Sequence, residues 1–160
     1  MISFGKSAFG LMGWLVVSFA AAAAGSRFLP GAWYATLTKP AWNPPAAVFA
    51  PVWTVLYASM GVAAWLVWRR AGFIGARAAL AAFGVQLVLN ALWSYLFFGL
   101  HRPGVALADI GALWIVILVV AVLFWRVDWR AGALMVPYLA WVGFASCLNF
   151  VLWRLNVGPK

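Results

Sequence analysis

Apolar positions fill five long runs of the chain, and its charged residues, most of its prolines and many of its glycines collect in the short clusters between them. Each run reaches the ~20 residues that an α-helix needs to cross the hydrocarbon core of a bilayer. The pattern predicts spanning helices over residues 7–26, 45–68, 76–100, 104–125 and 131–153. The first run also has the layout of a secretory signal, with Lys6, an apolar stretch and then Ala22-Ala23-Ala24; it is expected to stay in the protein as helix one. Arg27 ends that helix, Arg69-Arg70 end the second, His101-Arg102-Pro103 make a tight exit from the third, and Arg126, Asp128 and Arg130 form the turn before the fifth, which Arg154 closes. Short links force antiparallel neighbours. The expected fold class is therefore an all-α membrane protein, one domain built as a five-transmembrane-helix up-and-down bundle.

The exception is the long first link. A short helical turn is predicted from Pro30 to Thr38, stopped by Lys39-Pro40 because proline disfavours a helical residue before it. Asn43 before Pro44-Pro45 predicts a helix start, with the Asn side chain capping free backbone N–H groups. Trp53 and Tyr57 then fall one turn apart on one face, below a loop that carries Trp33, Tyr34 and Trp42. Pro51 is expected to kink the second helix and free the carbonyl near Ala47. In a membrane that group must be satisfied by protein or cavity water, which places a site here.

Composition removes whole classes of function. With 68% hydrophobic and 8% charged residues, an ordinary soluble domain is excluded. The net charge of +9 is spread singly or in pairs between apolar runs, so no nucleic-acid-binding patch forms and the cations mark helix ends near lipid headgroups. Lys6, Arg69, Arg70, Arg77, Arg126 and Arg130 on the N-terminal side, against Arg27, Lys39, Arg102, Arg154 and Lys160 on the other, lean toward a cytoplasmic N-terminus. One His, one Cys and two Asp on different segments supply neither a zinc ligand set nor a paired-carboxylate catalyst.

Polar and aromatic residues inside the runs are the candidates for chemistry. Gln86, Asn90 and Trp93 or Ser94 share a face of the third helix, either as glue between helices or as ligand contacts. Tyr138, Trp141, Ala145 and Leu148 or Asn149 line a stripe of the fifth, where Ala145 leaves room beside Trp141. Trp65, Trp68, Trp125, Trp129 and Trp153 sit at helix ends, as an interfacial belt requires. Trp33, Trp42, Trp53, Trp93 and Trp141 are left to converge and offer flat faces to a planar macrocycle. Asp109, an acid inside the fourth helix, is a functional candidate whose plainer reading is a carboxylate that reaches the interface or pairs with Arg102. Gly75, Ala79 and Ala82 on the third helix, and Gly104, Ala108 and Ala112 on the fourth, form small-residue stripes for close helix contact.

Taken together, Trp33-Tyr34, Leu37, Lys39-Pro40, Trp42-Asn43-Pro44-Pro45 and Trp53-Thr54 with Leu56-Tyr57 resemble the tryptophan-rich sensory protein and translocator protein family. Gln86, Asn90, Leu92 and Trp93, and then Pro137, Tyr138, Trp141, Ala145, Leu148 and Asn149, extend the resemblance in the same order across residues 11–156. The resemblance implies a pocket under the first loop for a hydrophobic ligand, formed by Trp33, Tyr34, Trp42, Asn43, Trp53, Tyr57, Asn90, Trp93, Tyr138, Trp141, Ala145 and Leu148. It implies porphyrin or haem as a ligand and no obligatory cofactor; in a porphyrin complex Arg27 or Lys39, cations at the membrane boundary, are expected to pair with propionates. Mitochondrial members also bind cholesterol, but their motif needs a tyrosine where Leu148 to Arg154 has Phe150, so a sterol is less favoured than a bacterial tetrapyrrole.

The leading expectation is a binding protein of the bacterial cell membrane with a transport, sensing or regulatory role. One alternative is a light-dependent or oxidative porphyrin-degrading enzyme with Trp53 and Trp141 as redox-active indoles. Another is a proton-coupled exporter using Asp109. The resemblance also implies a homodimer, expected to place Ala79 and Ala82 in its interface and to turn the stripe of the fourth helix inward.

Overall fold

The computed structural model describes residues 4–157. Lys160 and the side chain of Lys6, both counted above toward orientation, lie outside the described residues. Helix α1 covers Phe4–Gly25, a short α2 covers Ala32–Thr36, and α3 covers Ala46–Gly75. Helix α4 covers Arg77–Ser94 and runs into a π-helical turn at Tyr95–Gly99; α5 covers Pro103–Val127 and α6 covers Trp129–Asn156. Five of these segments are long and apolar enough to span a bilayer, as the hydropathy pattern predicts.

Contacts order the five spanning helices as a closed ring, α1–α3–α6–α5–α4 and back to α1. Up-and-down threading makes ring neighbours antiparallel, but an odd ring must contain one parallel pair, and that pair is α1 with α4. Trp14 meets Phe83 with ring centroids 5.9 Å apart, and one register further along a Cβ at Gly25 would lie 3.2 Å from Ser94 Oγ. Between α1 and α3 the backbones close in at Gly61, where a Cβ would sit 3.1 Å from the Cα of Leu15. A side chain there would press Leu15 and the Trp14 carbonyl aside. Met60, Phe83, Leu113, Ile117, Phe124, Met135 and Tyr138 fill the centre of the ring.

Several boundaries differ from the sequence expectation for local reasons. Helix α3 does not stop at residue 68; Arg69 and Arg70 remain helical, and the helical path breaks at Gly72, whose φ of 65° suits a residue without a Cβ. At Pro51 the backbone keeps helical angles, and the ring, lacking an N–H, leaves the Ala47 carbonyl without its intrahelical donor. Asn43 does not cap α3: the N-cap position is Pro45, and the Asn43 amide donates to the Pro44 carbonyl at 3.1 Å instead. The third spanning helix is not uniform, because it widens at Tyr95–Gly99 before the Leu100 N–H reaches back to the Tyr95 carbonyl. Asp128 is more than a solvated loop acid; it accepts from the Arg130 N–H at 3.0 Å, caps α6 and faces Arg70 at 3.8 Å.

The expected stripes exchange places. Ala79 is buried inside the ring and so closed to a partner subunit, while Ala82 packs against the core and keeps part of its surface free. Ala108 and Ala112 of α5 face outward, while Gly104 lies under the Trp153 indole.

Candidate functional site

The sequence-predicted site residues fall into three adjoining groups. The first is a polar chain through the bundle interior. Tyr57 Oη on α3 donates to Asn90 Oδ1 on α4, and Asn90 Nδ2 donates to Tyr138 Oη on α6 at 2.9 Å. All three residues are buried, so each bond replaces water that the bilayer cannot supply. Trp53, one turn from Tyr57, stands 5.6 Å from its ring and edge-on to Tyr138 at 6.2 Å.

The second group forms the floor of the first loop. Trp33 and Tyr34 on α2 set their rings edge-on against Phe97 of the π-helical turn, and Trp93 stacks on the same phenyl at 5.1 Å. Leu148 closes this cluster from α6. Trp93 Nε1 donates to Asn149 Oδ1 at 2.9 Å, and Asn149 Nδ2 donates to the Pro103 carbonyl at 2.8 Å, so these residues tie α4, α5 and α6 together. Tyr34 Oη donates to Asn43 Oδ1 at 3.3 Å, and burial raises its phenol above the ordinary tyrosine range against the lowering effect of that bond. Trp33 also stacks on His101, 4.3 Å away and nearly parallel. Loop and floor are in direct contact here.

The third group is open to the side. Pro51, Val52, Val55 and Leu56 of α3 face Pro137, Ala140, Trp141 and Phe144 of α6 across an apolar groove of about 560 Å³. Phe49 packs edge-on to Trp141, and Trp42 reaches from the loop to Phe144 at 5.8 Å. Trp141 thus forms one wall of the groove, and its Nε1–H is buried without an acceptor among the described residues. Ala145, one turn on, packs against the main core. The sequence reading pointed to this region through Pro51 but missed Val52, Val55, Ala140 and Phe144, whose side chains carry no signal that separates a groove wall from a lipid-facing surface.

The profile of the TspO/MBR family matches residues 9–154. The chain belongs to that family. It is 41% identical over 152 residues to protein CrtK of Rhodobacter capsulatus, with 92% of each chain covered. It is 45% identical to the tryptophan-rich protein TspO of Chlorobaculum tepidum over 140 residues, covering 83% of this chain and 87% of that one. The human translocator protein is 40% identical over 139 residues, covering 84% and 82%. This TspO/MBR chain is an integral membrane protein, and the names of its relatives support a role in sensing or transport.

Two charged candidates take positions that differ from the sequence reading. Asp109 makes no ion pair with Arg102 among the described residues: it is 9% exposed, and its Oδ2 has no hydrogen-bond partner there. Lys39 Nζ donates to the Tyr34, Leu37 and Ala35 carbonyls at 2.7, 3.2 and 3.4 Å and lies 4.7 Å above the Tyr34 ring. It closes the C-terminal end of α2 rather than extending toward a ligand. Arg27 stays exposed.

Proposed function

We propose that this TspO/MBR protein takes a flat hydrophobic molecule of the porphyrin class from the bilayer through the groove between α3 and α6 and holds it against Trp141 and Trp53. The observation that carries this reading is the groove itself. Its walls are apolar, it opens sideways toward lipid, and its inner wall is an indole whose N–H lacks an acceptor among the described residues. Stacking on a tryptophan face suits a planar macrocycle, and the Tyr57–Asn90–Tyr138 chain next to Trp53 offers polar groups to its edge. With Lys39 engaged by backbone carbonyls, Arg27 is the cation left for a propionate. The protein sits in a bacterial cell membrane with its N-terminus in the cytoplasm; a reporter that works only in the cytoplasm and stays silent when fused there would reverse that orientation.

Titration of the purified protein with protoporphyrin, haem and cholesterol, followed by quenching of tryptophan fluorescence, tests the reading. Protoporphyrin is expected to bind best. Trp141→Ala and Trp53→Ala should each weaken it by roughly 1–3 kcal/mol through lost stacking and burial. Affinity unchanged in both variants, with circular dichroism showing both folded, would remove the site.

A further inference from the structure

The end of the bundle away from the first loop carries a corner that ligand capture leaves unused. Helix α3 leaves its path at Gly72, and the next residues swing outward before α4 begins at Arg77. Phe73 is 64% exposed there and Ile74 87%. Phe73 still leans on the Trp14 and Trp68 rings, at 6.1 and 5.9 Å, which hold the corner in place. Arg69, Arg70 and Arg77 flank the pair, all exposed. The 3.8 Å approach of Arg70 to Asp128 brings in Arg126 and Arg130 from the α5–α6 turn.

Five arginines thus face one acid, and that acid already caps α6 and pairs with Arg70. The opposite end also exposes Arg27, Arg102 and Arg154, fewer than the five here, while Lys39 there is held by carbonyls within its own loop. Apolar side chains beside long-stemmed cations are the pattern of a segment lying at the boundary between acyl chains and headgroups. The geometry points to an anionic-phospholipid site at the α3–α4 corner: Ile74 and Phe73 enter the acyl boundary while Arg69, Arg70, Arg77, Arg126 and Arg130 hold lipid phosphates. Guanidinium groups suit phosphate oxygens, and an anionic headgroup restores charge balance at this end. The site does not depend on what the groove binds.

The test is native mass spectrometry of the detergent-purified protein incubated with equal amounts of phosphatidylglycerol and phosphatidylcholine. Phosphatidylglycerol should be retained in preference, and less so at high salt. Each arginine at an anionic surface contributes about fivefold, so Arg77→Gln with Arg126→Gln should cut retention about 25-fold. Ile74→Ser should weaken both lipids, because it shortens the acyl contact without touching the core. The pair Arg102→Gln and Arg154→Gln at the opposite end should lower retention far less. Equal retention of the two lipids, or an equal loss from the opposite-end pair, overturns the proposal. So does displacement of phosphatidylglycerol by equimolar inorganic phosphate, which would make the corner a free-anion site with no lipid surface.

Discussion

Asn90 is the residue on which the interior turns, because one amide serves as acceptor for Tyr57 and donor to Tyr138. Removing either partner strands a buried group. Tyr57→Phe is therefore expected to cost about 1–3 kcal/mol, the penalty of an unsatisfied Asn90 oxygen, read as a lower midpoint in thermal denaturation in detergent. Asp109 calls for the opposite result. Its buried Oδ2 has no partner among the described residues, so Asp109→Leu should hold or raise the thermal midpoint. A fall of more than about 1 kcal/mol would mean that the carboxyl is satisfied in the membrane and that its role is structural.

At the scale of elements, two of the contacts that tie down the first loop lie well apart from each other. Asn156 at the end of α6 accepts from the Thr38 N–H at 2.9 Å and donates to the Thr38 carbonyl at 3.0 Å, a clasp across 118 residues of sequence. Trp33 supplies the other tie through Phe97 and His101. Asn156→Ala releases the first without disturbing the core. Backbone amides of residues 37–45 should then exchange hydrogen faster while those of α5 keep their protection, and uniform protection would show that the aromatic contacts of Trp33, Tyr34 and Trp42 hold the loop without it. The π-helical turn that presents Phe97 and His101 to the loop was not legible from the sequence. Its apolar residues suit a regular helix equally well, and the widening shows only in the Leu100 N–H that reaches back to the Tyr95 carbonyl, with Phe28 packed against Tyr95 and Gly99.

For the whole molecule, the ring order decides which faces are free. Ala79 points inward, so Ala79→Leu should overpack the core and lower stability by about 1–3 kcal/mol with the oligomeric state unchanged. Light scattering beside thermal denaturation separates the two, and loss of a dimer without loss of stability would put Ala79 back at an interface. The sequence by itself determined the five spans, their alternation and the family, because span length answers to bilayer thickness and the motifs are local. It also marked Gln86, Asn90 and Tyr138 as inward, since polar groups cannot face hydrocarbon cheaply. Only the tertiary structure decided the parallel α1–α4 seam, the inward turn of Ala79, the outward turn of Ala108 and Ala112, and the groove between α3 and α6. Lipid tails are as apolar as a packed core, so a helix apolar on every side carries no pattern that says which face meets its neighbours.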